Sequence, residues 1–211
     1  TISGQFQRQN SNIVLGLHFQ SSSPLIGNQC QIILQKNSFG LTVYSNQSIQ
    51  MINNSSIVYY SVVIDNSNND KVSPSFPFTI DCSINAGGIQ AAGKIECSVN
   101  VLFIDGFKLS GRPFVEFFQK NKDSPFNASI YNYNISSEDQ AKTILERNNI
   151  SLSAKQGKAN PPQTYYSANI AGGVPFLVET YMQNGQLAVK IIANHQAVVP
   201  LIKSVLDKLF G

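Results

Sequence analysis

Ile13, Leu15, Leu17 and Phe19 alternate with polar or small residues, the period-two pattern of a strand with one buried face. Strand-like runs recur at 31–35, 41–44, 57–64 and 76–82. Ile95, Cys97, Val99, Val101 and Phe103 then alternate as one long strand. Polar segments such as Asn53-Asn54-Ser55-Ser56 and Asn66-Ser67-Asn68-Asn69-Asp70 separate the runs and read as solvated loops. Short antiparallel strands, each with one apolar face to bury, predict a β-sandwich.

The pattern changes after Asp105-Gly106. Ser110 and Pro113 sit where a helix cap and first turn belong, and Phe114, Phe117 and Phe118 follow at helical spacing. A strand is expected near 128–133. Ser137 with Gln140 forms a capping box for a helix whose stripe is Ala141, Ile144 and Leu145, ended by Asn148-Asn149. Strands at about 151–155, 164–170, 176–183 and 186–193 follow, with Asn184-Gly185 as a hairpin turn between the last two. A final helix over 198–210 carries Val198, Leu201, Ile202, Val205 and Leu209 on one side. The fold class is therefore α+β: a sandwich over 1–105, then a unit over 106–211 in which helices flank an antiparallel sheet.

Composition narrows the chemistry. Hydrophobic residues make up 42% of the 211, enough for a real core, whereas charged residues are only 13%, so polarity comes from Asn, Gln and Ser. The net charge of +3 is carried by scattered lysines without an Arg/Lys stripe, which gives no nucleic-acid footprint. No apolar run approaches the ~20 residues a membrane span requires, so direct membrane insertion is not expected. The chain opens mid-pattern at Thr1 and reads as a fragment. Cys30, Cys82 and Cys97 are an odd count without tight spacing, which argues for reduced, buried thiols and against a disulfide framework or zinc site. Asn-x-Ser sequons at Asn46, Asn53, Asn54, Asn127, Asn134 and Asn149 pull toward a secreted glycoprotein, though an Asn- and Ser-rich chain forms them by chance.

Catalytic chemistry is hard to find. His18 and His195 have no carboxylate or thiol at useful spacing and read as structural. No dinucleotide, Walker or nucleophile-elbow pattern occurs, and Gly87-Gly88 and Gly172-Gly173 read as turn glycines. Neither an enzyme nor a cofactor or metal site is expected. Aromatic residues remain. Phe114, Phe117 and Phe118 form one helical stripe, to be buried as core or offered to a ligand. Tyr165 and Tyr166, adjacent on a strand, point to opposite faces, so one should face away from the core. Glu179 sits inside the apolar strand Val174-Pro175-Phe176-Leu177-Val178-Glu179, either as an ordinary solvated position or as a clamp for the Arg of a peptide.

Several stretches resemble the appendage (ear) domain of beta-adaptins, the large subunits of the plasma-membrane and trans-Golgi clathrin adaptor complexes. Ser3-Gly4-Gln5-Phe6 with Arg8-Gln9 resembles the family's first strand. Lys36-Asn37-Ser38-Phe39-Gly40 is the most specific match, followed by Asn46-Gln47-Ser48-Ile49 and by Asn100-Val101-Leu102-Phe103 with Lys108 at the passage between subdomains. The resemblance covers essentially the whole chain and runs without a gap from Phe118 to Glu179.

The resemblance implies an immunoglobulin-like sandwich followed by a platform subdomain. It implies a module that recruits endocytic accessory and cargo-adaptor proteins during vesicle formation. Its location would be cytoplasmic, peripheral on clathrin-coated membranes. In such appendages the platform groove takes a short amphipathic helix of the Phe-x-x-Phe/Leu-x-x-x-Arg type. Clathrin is implied as a weak further partner, and other adaptor subunits through a trunk outside this sequence. The family's central groove Trp falls on Phe118, which keeps an apolar anchor without the indole N–H. Its groove Tyr falls on Tyr165, and the glutamate that pairs with the ligand's Arg falls on Glu179. A groove Arg falls on Gln156 and a second glutamate on Phe126, so two charges are lost; Asp123 is a candidate replacement for the carboxylate. The family's second site, on the sandwich, is centred on a Tyr; here Ala92 stands there, and that site is expected to be absent or rebuilt. Val101–Asp105 looks superficially like a clathrin-binding peptide but alternates like a buried strand. The competing reading is an extracellular immunoglobulin-like glycoprotein, which requires glycans on the sequons and a disulfide such as Cys82–Cys97.

Overall fold

A computed structural model describes residues 2–20, 29–44, 49–50, 55–65, 76–86 and 88–211. The loops expected at 53–54 and 66–70, the motif residues 46–48, the sequons at Asn46, Asn53 and Asn54, and Gly87 lie outside the described residues. The chain forms two compact units, Thr1–Val101 and Leu102–Gly211.

The first unit holds two antiparallel four-stranded sheets. One has the order β1 (Ile2–Gln9), β2 (Asn12–Gln20), β6 (Ser55–Ile64), β4 (Leu41–Val43); the other has β5 (Ile49–Gln50), β3 (Gln29–Leu34), β7 (Thr79–Ala86), β8 (Ile89–Glu96). Alternation decides which face is inside. Leu15, Leu17 and Phe19 of β2 and Val58, Tyr60 and Val62 of β6 are buried, as are Cys30, Ile32 and Leu34 of β3 and Ile80, Cys82 and Ile84 of β7. The inner faces meet as a sandwich: the Tyr60 hydroxyl crosses from β6 to donate to the Cys30 carbonyl at 2.6 Å. A Cβ built on Gly4 of β1 would lie 2.9 Å from the end of the Ile95 side chain of β8, so a larger residue there would make that side chain shift. All three cysteines are buried and free, Cys82 and Cys97 included.

The alternation from Ile95 to Phe103 is not one long strand. β8 ends at Glu96, and Val99–Leu102 forms a 3-10 turn. Val99, Leu102 and Phe103 are buried, a spacing that suits three residues per turn as well as the period of two that predicted extension. With Leu102 and Phe103 fully buried, this stretch is no accessible clathrin-binding peptide.

The second unit is an antiparallel five-stranded sheet, β10 (Ser151–Gln156), β11 (Gln163–Ile170), β12 (Val174–Gln183), β13 (Gln186–Ala193), β9 (Ile130–Tyr133), with α1 (Gly111–Asn121), α2 (Glu138–Arg147) and α3 (Val198–Phe210). Asn184 and Gly185 take φ of 52° and 78°, the left-handed pair a tight hairpin demands. Ser137 caps α2, the half of the expected capping box that the structure shows: its Oγ accepts from the Gln140 amide at 3.2 Å. Helices α2 and α3 cover one face. Tyr133 packs on Phe210 at 5.1 Å and donates to Asp207 Oδ1 at 2.9 Å, and the α2 carboxylates Glu138, Glu146 and Asp139 act on Tyr166. The fold is thus α+β, a β-sandwich followed by a helix-flanked platform. Among the described residues no helix is long and apolar enough to cross a membrane.

Candidate functional site

Helix α1 lies against the other face of the platform sheet, and its stripe explains how. Phe114, Phe117, Phe118 and Asn121 recur at helical spacing; Asn121 is buried and the three rings are partly exposed, while Val115 on the opposite side is 51% exposed. The helix is anchored at both ends. The Leu109 amide donates to Ser167 Oγ of β11 at 2.8 Å, and past the C-terminus Asn127, 1% exposed, donates to the carbonyls of Asn121 (2.9 Å) and Ala193 (2.8 Å) and accepts from the Ala193 amide (3.2 Å).

Phe114 and Phe118 stack at 5.9 Å and 11°, and both meet the Tyr165 ring edge-on, at 5.4 Å and 65° and at 5.3 Å and 74°. Tyr165 is consequently 3% exposed, and Tyr166 on the reverse face is 1% exposed. The expectation that one of the two faces away from the core is therefore corrected: helices cover both faces of the sheet, so both tyrosines are interior. The Tyr165 hydroxyl donates to Gln163 Oε1 at 2.8 Å, with Gln156 Oε1 at 3.4 Å. Burial, reinforced by the Glu179 charge, pushes its pKa up to about 12.

Strand register aligns the rest. Ala154, Tyr165, Glu179, Lys190 and Ile130 stand opposite one another across all five strands, one row on the α1 side. Glu179 is 7% exposed, so it is no ordinary solvated strand residue. Desolvation raises its carboxyl pKa, with Lys190 pulling the other way. The Lys190 ammonium is held by the Lys122 carbonyl at 3.2 Å, and the Lys122 ammonium sits 5.9 Å over the Phe118 ring. Tyr181, two residues along β12 on the same face, also has its pKa raised by burial and by Glu179.

Four residues singled out in the sequence thus form one connected patch: Phe118 on Tyr165, Tyr165 toward Gln156, and Glu179 beside Tyr165. Gln156 is exposed on the edge strand β10, and Phe126 is partly exposed just past α1. Asp123 is exposed, 3.8 Å from the Lys122 ammonium. Sequence reasoning missed Gln163 and Lys190. Both had a signal: Gln163 lies two residues before Tyr165 and so shares its face, and the Asn184-Gly185 turn sets a register that puts Lys190 opposite Glu179. Ala92 is exposed on β8 opposite Ser83 in the sandwich unit. Asn127, a sequon residue, is too buried and too fully bonded to carry a glycan. Among the described residues no cluster of three His, Cys, Asp or Glu could hold a metal ion.

A protein-family model described as the beta2-adaptin appendage, C-terminal sub-domain, matches residues 104–210, just over half of the chain and almost all of the platform unit. A search of curated proteins gives no match. The matched segment contains every residue of the platform patch, from Phe114 to Lys190. The chain belongs to the beta-adaptin appendage family, the protein-interaction ears of clathrin adaptors.

Proposed function

We propose that the α1 side of the platform sheet binds short amphipathic helices of endocytic accessory and cargo-adaptor proteins, on clathrin-coated membranes during vesicle formation. Phe118 and Gln156 offer the exposed part of the contact, with Tyr165 and Glu179 behind them in the same patch. The observation that carries the reading is Glu179. The residue is 7% exposed and stands in register with Tyr165, on which Phe114 and Phe118 pack, and desolvation raises its carboxyl pKa. Desolvation disfavours the ionised carboxylate, and an incoming guanidinium would offset that cost. Phe118 and Phe114 supply an apolar bed for the ligand's own aromatic residues. Gln156, on the sheet edge, offers its amide to the peptide's polar groups. With Phe126 in place of a second carboxylate, Glu179 reads the ligand's cation, and Asp123 is the candidate replacement for the carboxylate that is lost. Ala92 offers no aromatic contact on the sandwich, so the recognition of this helical motif rests on the platform.

The test is a fluorescence-anisotropy titration with a labelled Phe-x-x-Phe-x-x-x-Arg helical peptide. A micromolar Kd, about −8 kcal/mol, is expected for one helix on a few anchors. Phe118→Ala and Glu179→Ala should each weaken binding at least about tenfold, a loss of roughly 1.4 kcal/mol. A wild-type chain that leaves the peptide unbound, or variants that bind as the wild type does, would overturn the assignment. Asp123→Asn serves as a separate arm: unchanged affinity removes Asp123 from the contact.

A further inference from the structure

The outer face of the β1-β2-β6-β4 sheet differs from an ordinary solvated face. Its described side chains are Ser3, Gln5 and Gln7 of β1, Val14, Gly16 and His18 of β2, Ile57, Tyr59, Ser61 and Val63 of β6, and Thr42 of β4, with Tyr44 just beyond it. Over this stretch none is Lys, Arg, Asp or Glu; Asp65, two residues beyond Val63, brings the first charge on that side of β6. The outer face of the other sheet, by contrast, carries the Asp81–Lys94 ion pair at 3.3 Å and Glu96. On the uncharged face large apolar groups stand in water: Tyr44 is 58% exposed, Ile57 57%, Tyr59 48% and Val63 38%. Such a patch on a sheet face is a mark of an interaction surface.

The face also has a hollow built by one residue. Gly16 sits in the middle of the row Gln5, Gly16, Tyr59. A Cβ there would come 3.2 Å from the Tyr59 ring, so the ring leans over the glycine. The space left is a trough of about 370 Å³, with Ser3, Gln5 and Gln7 along one wall, Ile57 and Tyr59 along the other, and His18 at its end. The trough runs along β2.

We propose that this face is a second docking surface, taking an extended, uncharged peptide segment of a partner protein with one bulky apolar side chain seated over Gly16. The walls decide the chemistry. Side-chain amides of Gln5 and Gln7 both donate and accept, as the main chain of an extended peptide does. The apolar wall of Ile57 and Tyr59 takes a Leu, Met or aromatic side chain. A charged segment would bury its charge between Ile57 and Val63, where the described side chains offer no counter-charge, which is unfavourable. From Ile57 to Val63 the face runs about 20 Å along β6 at roughly 3.3 Å per residue, the length of about six extended residues.

The test selects octapeptides from a random phage-displayed library on the 211-residue chain. Synthetic copies are then titrated against the wild type, Tyr59→Ala, Gly16→Ala and Phe118→Ala. Tyr59 is half exposed, and alanine suits a strand better than glycine, so both sandwich variants should melt as the wild type does. The expected result is a class of peptides poor in Asp, Glu, Lys and Arg. Its binding falls more than tenfold with Tyr59→Ala and with Gly16→Ala, and changes less than twofold with Phe118→Ala. The proposal is overturned if no selected peptide responds to Tyr59→Ala, if Gly16→Ala binds as the wild type does, or if the responsive peptides need a charged residue. It is equally overturned if sedimentation velocity shows the chain pairing with itself through this face, lost in Tyr59→Ala, for then the occupant is a second copy.

Discussion

Phe118→Leu tests whether the platform's aromatic cluster is a preformed bed or a set of loose surface rings. Leucine keeps most of the apolar volume, so the change removes chiefly the ring geometry. Phe118 makes two ring contacts, with Tyr165 at 5.3 Å and 74° and with Phe114 at 5.9 Å and 11°. Each such pair contributes about 0.5–1.5 kcal/mol beyond area burial, so the loss should be about 2 kcal/mol. At about 4–8 °C per kcal/mol for a unit of this size, the platform's melting transition should fall by roughly 10 °C. A double-mutant cycle with Tyr165→Leu isolates the pair: the two changes together should cost about 1 kcal/mol less than their sum. Differential scanning calorimetry reads both quantities, and anisotropy with the helical peptide reads the function. A shift under about 2 °C with no coupling would refute the reasoning. It would mean that the rings lie near one another without holding one another, and that Phe118 is not pre-positioned for a ligand.

Glu179→Gln should raise the melting temperature at pH 7.5 and leave it nearly unchanged at pH 4. Burial raises the folded-state pKa, so the native state binds the proton more tightly than the unfolded chain, and that stability is lost as pH rises through the folded value. A scan series in which the difference between the two proteins is independent of pH would contradict it. Asn127→Ala removes the three hydrogen bonds to Asn121 and Ala193 from a buried site. At about 1 kcal/mol each this should cost about 3 kcal/mol in urea unfolding of the platform; a cost below about 1 kcal/mol would show that water replaces them. Gly40→Ala should destabilise the sandwich unit by more than about 1 kcal/mol, because Gly40 has φ of 66° and a Cβ would run into the Asp65 carbonyl. Circular-dichroism melting that finds this variant as stable as the wild type would show that the turn can refold around it.

The sequence made the platform's elements legible because each carries its own period. The N-cap at Ser137, the left-handed pair Asn184-Gly185 and the alternation of β13 are local signals with one structural outcome each. The segment after Ile95 shows where such signals end. Buried residues at 95, 97, 99 and 103 satisfy a strand period, and only the turn at Val99–Leu102 reveals that the chain had already left the sheet. Tyr165 shows a second limit. A strand's own pattern says which residues share a face but not whether a helix covers it, and α1 covers this one with Phe114 and Phe118.

Glu179 was conspicuous in the sequence as a charge in an apolar strand, but conspicuousness did not say what it does. Two facts from distant parts of the chain give it a role. The hairpin register sets Lys190 against it, and burial within the sheet raises its carboxyl pKa. The Lys190 ammonium, which also donates to the Lys122 carbonyl, offsets only part of the cost of that burial through its charge, since the carboxyl pKa stays raised. A carboxylate that burial disfavours, even with Lys190 opposite it, makes the folded protein less stable than a glutamine there would. The same arrangement makes it a receptor for a cation brought from outside. Stability and recognition therefore pull in opposite directions at Glu179, and the Gln variant should gain the first while losing the second.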